Sequence, residues 1–303
     1  MATAPIEPPQ RLVSSLSGDP ESPVRRWLDA LPTLVQRQLE AWDLTLERVD
    51  APGGRSSLLA LVHQKDGTPA ALKFPVPGTA SAHEAAALEI WDGWGAVRLL
   101  RADHDSGALL LERLRSAVSL RSLPEAKALL EAAGTVRRLW VAPETGHPFV
   151  TLAARTEDDV EALRWAGRLT SAAVPLVDEA LELRRTLPGS SDEGFLLHGA
   201  FRQGKVLAGE RAPWLAVGPS PVVGERAYDL AGLVLDRFED LLAGSGAAAA
   251  ARRRVAKLAD SLEVDRDRLR AWSLYRAVDT GVREWAVGDR QRGELLLEFA
   301  AWL

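Results

Sequence analysis

"FLLHGAFRQGKVLAG", residues Phe195 to Gly209, and "PWLAVGPSPVVGERAYDLAGLV", residues Pro213 to Val234, decide how the chain is read. An apolar triplet leads into His198-Gly199. The loop that follows carries Arg202 and Lys205 and no acid. "KVLAG" and "PWLAVG" read as a short hairpin around "ERA", and "RAYDLAGLVLDRF" returns to helical spacing. The stretch has the outline of an active-site loop, yet no carboxylate stands where the chemistry of such a loop would need one.

Working outward, "SPVRRWLDALPTLVQRQLEAWDL" follows a Pro-rich tail and places Trp27, Leu31, Leu34, Leu39 and Trp42 at helical spacing. Pro32 predicts a break there, giving two short helices. "SSLLALVHQ", the turn "KDGT" and "PAALKFPV" read as two strands of an Asp-Gly hairpin. "SAHEAAALEIWDGWG" opens on Ser-x-x-Glu, a capping box that predicts a helix from Ser81 to Gly93 or Gly95. Two further strands are expected around Asp103 to Gly107. From Pro124 onward the spacing is that of long helices, and Pro175 is expected to kink the one running through "EDDVEALRWAGRLTSAAVPLVDEALELRRTL". A strand-rich front and a helical back define an α+β chain of two lobes, 1–114 and 115–303, joined near Glu112 to Leu114.

With 303 residues, 47% of them hydrophobic, the chain can bury one large core or two moderate ones. Its formal charge of -5 argues against nucleic acid as a partner, because a phosphate-tracking surface needs a cationic excess. The absence of cysteine excludes disulfides and thiolate metal sites and suits a reducing compartment. No signal-type segment opens the chain and no apolar run approaches the roughly 20 residues that span a bilayer, so a cytoplasmic protein without a membrane partner is expected. Of the ten tryptophans, Trp27, Trp91, Trp165 and Trp272 fall in helical patterns and are expected in cores. Trp140 and Trp285 are the candidates for a cleft. Lysine is scarce, five residues in all, and two of these, Lys73 and Lys205, stand in positions that invite a functional account.

"DGTPAALKF", "HEAAALEIWDGWGAVRLL", "GALLLERL", "LLHGAFRQGKVL" and "PWLAVGPSPVVGERAYDLA", in this order, resemble the aminoglycoside/hydroxyurea phosphotransferases, the branch containing streptomycin 6-kinases, over nearly the whole chain. The resemblance implies a two-lobed protein-kinase-like fold, with a small sheet-containing N-terminal lobe carrying a helical extension and a larger helical C-terminal lobe. It implies that Lys73 holds ATP phosphates while Glu84 fixes its ammonium, although a strand-face cation in water and a helix-capping glutamate explain the same two residues. It also implies that the connector from Glu112 to Leu114 offers backbone to an adenine. Family members look like "LLHGDLHHGNVL" and "WLAIDPKPVVGDPAYDLA" here, where the first Asp is the catalytic base and the Asn and second Asp hold magnesium. Those three positions are Ala200, Lys205 and Gly218 in this chain. His198 is expected to be a packed structural histidine. Asp229 is expected to be an acid suited to a helix start, with replacement base as the alternative.

Asp192, Glu193, Glu210 and Glu225 flank the site in or beside turns, away from the places where the fold aims ligands at phosphates. The expectation is therefore a pseudokinase without an intact catalytic set and without a metal. It would bind ATP or another nucleotide independently of magnesium through Lys73, Glu84, Glu112, Leu114 and Lys205, or bind a small molecule or a partner protein. Two alternatives stay open: an active ATP-dependent phosphotransferase with an alcohol acceptor and a rearranged site, and a ligand-free structural partner of a biosynthetic enzyme.

Overall fold

The computed structural model describes residues 6–16, 21–157, 160–166, 173–242 and 246–303. The chain divides into two units, Met1–Ala117 with Ala208–Leu215, and Val118–Leu207 with Ala216–Leu303.

The first unit runs α1 (Gln10–Ser15), α2 (Pro23–Ala41), β1 (Thr45–Val49), β2 (Ser57–His63), β3 (Pro69–Pro75), α3 (Thr79–Trp91), β4 (Leu99–Asp103) and β5 (Ala108–Glu112). Its sheet has the order β1-β2-β3-β5-β4, antiparallel throughout. Because strand side chains alternate, Leu58, Ala60 and Val62 of β2, Ala70, Leu72 and Phe74 of β3, and Ala108 and Leu110 of β5 form one buried face. Against it pack Leu12 of α1 and Trp27, Leu28, Leu31, Val35 and Leu39 of α2. Lys73 pairs across the ladder with Leu59 and Leu109, on the opposite face. The Asp-Gly turn closes as its residues require: Gly67 adopts φ +83°, and Thr68 N–H donates to Asp66 Oδ1 at 2.9 Å.

Pro32 does not divide α2. The helix starts on Ser22, whose Oγ accepts the Arg25 N–H, and continues for 19 residues. Pro32 forfeits one ladder bond, but the continuous apolar stripe from Trp27 to Leu39 stays buried on the sheet only if the helix is unbroken, and tertiary packing is what stabilises most helices. The tail also holds a helix that its prolines conceal, α1, which contributes the fully buried Leu12.

The chain continues through β6 (Arg115–Ser119), α4 (Glu125–Leu139), α5 (Leu152–Glu157), α6 (Val160–Ala166), α7 (Val174–Thr186), β7 (Phe195–Leu197), β8 (Val206–Ala208), β9 (Trp214–Ala216), β10 (Val222–Gly224), α8 (Arg226–Val234), α9 (Phe238–Leu242), α10 (Ala247–Leu262), α11 (Arg266–Ala286) and α12 (Arg290–Ala300). β7 pairs antiparallel with β10, and β8 pairs with β9 as the hairpin pattern requires. In the second unit α11 is the central helix. Its Trp272 meets Tyr228 and Tyr275 edge-on, with ring centroids 5.1 and 5.5 Å apart.

Pro175 lies in the first turn of α7, where a missing N–H costs nothing, so it starts a helix and does not kink one. Residues 158–159 and 167–172 of that expected long helix lie outside the described residues. Trp27, Trp91 and Trp272 are buried, whereas Trp165 is exposed, contrary to its expected place in a core.

Leu31 is fully buried in the first unit's core. Leu31→Ala should lower unfolding stability by about 2–5 kcal/mol, seen as a lower urea midpoint at unchanged slope. A change below 0.5 kcal/mol would mean that α2 does not pack on the sheet.

Candidate functional site

In the first unit, Lys73 Nζ donates to both Oε1 and Oε2 of Glu84 at 2.6 Å. Glu84 is buried and Lys73 nearly so. The strand's alternation turns Lys73 away from the Leu72/Phe74 core, and α3 supplies the acid. The capping-box account of Glu84 is replaced: α3 begins at Thr79 with Gly78 as its N-cap, so Ser81 lies inside the first turn. An ammonium has three donors, and the two carboxylate oxygens take two of them.

Glu112, at the end of β5, directs its carboxylate into the unit's own framework. Oε1 accepts from Arg98 N–H and from Arg211 Nη2, both at 2.7 Å, and Oε2 accepts from Arg211 Nε at 3.3 Å. Arg211 also donates to the Ala96 carbonyl at 3.2 Å. Gly93 leaves room for this guanidinium, since a Cβ there would stand 2.9 Å from Nη2. A Cβ on Gly209 would meet Leu114 Cδ2 at 3.2 Å, so the turn containing Arg211 packs on both ends of the segment Glu112 to Leu114.

In the second unit, Asp229 lies in the first turn of α8, fully buried. Its Oδ2 accepts from the His198 N–H and its Oδ1 from the Gly199 N–H, both at 2.8 Å. Asp236, seven residues on, accepts the Gln203 N–H. Asp229, in the first turn of α8, and Asp236, just past the end of that helix, thus hold the loop 198–203 by its amides. His198 is buried, as a structural histidine should be. Its Nε2 lies 3.2 Å from the Val217 carbonyl, and its Nδ1 accepts the Ala200 N–H at 3.3 Å, which assigns the proton to Nε2. Gly199, at φ +73°, cannot be replaced: a Cβ would sit 1.9 Å from the Ser220 carbonyl oxygen.

The helix-start account of Asp229 gives its position but not its work, which is to brace the loop. Burial pushes its pKa up to about 6, and the two backbone N–H groups and the Arg276 charge oppose that rise. Burial also raises Asp236, against the Gln203 N–H and the charges of Arg121, Arg202 and Arg254. Asp236 and Arg211 were missed from sequence, since neither carries a local signature.

Ala200 presents a methyl group. Lys205 ends a 3-10 turn, Gln203–Lys205, and its Nζ donates to the Gly218 carbonyl at 2.7 Å, while the Val217 N–H donates to the Lys205 carbonyl at 2.9 Å. Gly218 has φ +61°. The flanking acids lie elsewhere: Glu193 is held by Arg226 at 2.6 Å, Glu225 by Arg268, and Asp192 and Glu210 are exposed. The Arg226 guanidinium lies over the rings of Trp140 and Phe195, at 5.7 and 5.5 Å from their centroids. Among the described residues, no group of three or more His, Asp or Glu side chains is arranged to hold a metal ion.

The fold is of the protein-kinase-like type. Over 88% of this chain and 96% of the other, it is similar to an aminoglycoside phosphotransferase crystallised as a ternary complex with ADP and hygromycin B, at TM-score 0.60 and 17% identity. It is also similar to the choline kinase LicA of Streptococcus pneumoniae, at TM-score 0.59 and 13% identity over 89% and 98% of the two chains. In sequence, it is 33% identical to the streptomycin 6-kinase of Streptomyces griseus over 94% of this chain and 92% of that one. It is 37% identical to the hydroxyurea phosphotransferase of Kitasatospora aureofaciens over 90% and 77%. Residues 41–288 match the aminoglycoside/hydroxyurea antibiotic resistance kinases, and the chain belongs to that family.

The raised pKa of Asp229 fixes the sign of a pH effect. Its folded value, about 6, exceeds its unfolded value near 3.8, so the folded state binds the proton more tightly between these limits. Stability should fall as pH rises from about 4 to about 6 and level off above, by ~3 kcal/mol for two units. Urea midpoints of wild type and Asp229→Asn over pH 4–7 measure this contribution. The variant's curve should lack it, and two parallel curves would contradict the assignment.

Proposed function

We propose that this member of the family is a pseudokinase, impaired in phosphoryl transfer, that binds a nucleotide or a related small molecule without magnesium. The observation that carries this reading is the 2.7 Å contact of Lys205 Nζ with the Gly218 carbonyl. The family resemblance puts magnesium ligands at these two positions. Magnesium demands hard oxygen ligands in near-octahedral array. An ammonium and a side-chain-free glycine do not fit that ion, and the ammonium itself supplies positive charge there.

At the position of the base, Ala200 has no proton acceptor, and losing a positioned base costs roughly 10²–10⁴-fold. Support for nucleotide binding comes from the Lys73–Glu84 pair, which holds an ammonium at fixed orientation with a donor in excess of its two carboxylate bonds. It comes also from relatives of the fold solved with ADP and with AMP. Glu112 and Leu114 would then serve through backbone, since the Glu112 carboxylate is engaged by Arg211. The cysteine-free composition suits a reducing cytoplasm, where we place the protein. No described helix is long and apolar enough to cross a membrane.

The test is calorimetric titration of ATP, with magnesium and with EDTA, into wild type and Lys205→Asn. Wild type should bind equally in both buffers, and Lys205→Asn should lose ~1–3 kcal/mol, the range for a charge-assisted hydrogen bond. In parallel, transfer from labelled ATP to streptomycin or hydroxyurea should not exceed that of a Lys73→Ala control. Binding that requires magnesium, or turnover above the control, would establish an active phosphotransferase with a rearranged site instead.

A further inference from the structure

Where two residues of an antiparallel pair face each other as a hydrogen-bonded pair, they exchange both N–H···O bonds. At the end of β5 this exchange is half made. Arg98 precedes Leu99, which stands opposite Leu111, so the register brings Arg98 opposite Glu112. The Glu112 N–H donates to the Arg98 carbonyl at 3.0 Å, as the ladder requires. The Arg98 N–H does not return to the Glu112 carbonyl; it donates to Oε1 of the Glu112 side chain at 2.7 Å. The carboxylate thus takes the ladder donor that its own residue's carbonyl would have received.

Arg211 holds the carboxylate in that place. Its Nη2 and Nε donate to Oε1 and Oε2, and Nη2 also reaches the Ala96 carbonyl at 3.2 Å, so the guanidinium is itself anchored two residues before Arg98. Gly93, at φ +78°, leaves the guanidinium its space. The next side chain, Arg113, is paired with Glu47 of β1. All of these residues belong to the first unit. Without Arg211, the carboxylate would gain more from water than from one amide, and the Arg98 N–H would return to the carbonyl. With it, the carbonyl of half-buried Glu112 stays outside the ladder, and a backbone acceptor that the ladder does not serve is left to water or to a ligand.

We propose that Arg211 is a positioning residue for base selection: by holding the Glu112 carboxylate on the Arg98 N–H, it keeps the Glu112 carbonyl available to accept from the exocyclic amine of a purine. An acceptor there favours a purine with an exocyclic amine over one with an exocyclic oxygen, which presents a second acceptor in the same place. The inference rests on the nucleotide reading for the identity of the ligand. The half-made ladder and its cause do not depend on that reading.

The experiment titrates ATP, inosine triphosphate and tripolyphosphate, in magnesium buffer, into the full chain as wild type, Arg211→Gln, Arg211→Lys and the exposed control Arg37→Gln. Inosine triphosphate carries an oxygen where ATP carries the amine. Wild type and the control should bind ATP about tenfold tighter than inosine triphosphate, the effect of one hydrogen bond. Arg211→Gln should lose about tenfold for ATP and bind the other two unchanged, which removes the preference. Arg211→Lys, which keeps the charge and loses the fork, should keep part of it. Without any ligand, the Glu112 carbonyl carbon resonance should move downfield in Arg211→Gln, as the Arg98 N–H returns to it, and stay in place in the control. Thermal melts identify any variant that fails to fold, and the lysine variant then carries the comparison.

A wild type that binds both nucleotides alike, a preference untouched in Arg211→Gln, or an equal loss for all three ligands would overturn the selection and leave the nucleotide reading standing. No ATP binding by wild type would overturn both. An unmoved Glu112 carbonyl resonance in Arg211→Gln would overturn the proposal whatever the titrations give.

Discussion

The carboxylate of Asp229 is the constraint on which the second unit's loop depends. It accepts two successive backbone N–H groups, from the buried His198 and the partly buried Gly199. Buried backbone donors left unpaired each cost about 1–3 kcal/mol, and one acid satisfies both. Asp236 repeats the device at Gln203. Once the amides are fixed, the rest follows. His198 is oriented to meet the Val217 carbonyl, the Ala200 N–H turns to the imidazole, and Gly199 must be glycine because Ser220 closes against it. Lys205 then reaches the Gly218 carbonyl from a loop that has little freedom left.

The acids that brace this loop and the acids that the family motif would place on it have different tasks. Bracing acids face amide hydrogens and are buried with them. Ligating acids must present oxygens to a metal. This chain has the first kind at Asp229, and Ala200, Lys205 and Gly218 stand where the family resemblance implies the second. The backbone of the loop is therefore specified independently of the side chains it displays, and a change of displayed chemistry need not disturb its shape. Gly218 illustrates this: φ +61° is a left-handed conformation that Asp and Asn also visit, so the position there differs from the family pattern in its side chain and not in a need for a different turn.

What the sequence made legible was local. The Asp-Gly hairpin, the face on which Lys73 lies, the helical run after Pro124 and the loop around Lys205 all express periodicity or turn chemistry within a few residues. β1 was missed because "TLERV" is a charged edge strand, mostly exposed and bulged at Leu46/Arg48, with no apolar alternation to announce it. The start of α3 was misplaced because Ser81 and Glu84 fit a capping box locally, while the stronger partner of Glu84 came from a different element, 11 residues away. Arg211 with Glu112, 99 residues apart, and Asp236 with Gln203, 33 apart, lie beyond any pattern that one chain's spacing can show. Long-range pairs are set by packing, so the bracing of the site was less legible than its motif.

The cost of that bracing bears on whether the loop is a relic. Burial holds Asp229 above its ordinary range, so at neutral pH the carboxylate is kept ionised at the expense of stability. Two backbone donors repay part of this, and what they repay is their own burial, which a more open loop would not need. A loop freed of all function could relax toward solvent and shed both terms. Here the loop remains tightly held, with a glycine whose replacement is sterically barred. A desolvation cost of this kind persists where the surrounding structure over-determines it. That physical tension belongs to the frame itself: Asp229, Asp236 and the closure of Ser220 on Gly199 fix the loop's backbone whatever side chains the loop displays.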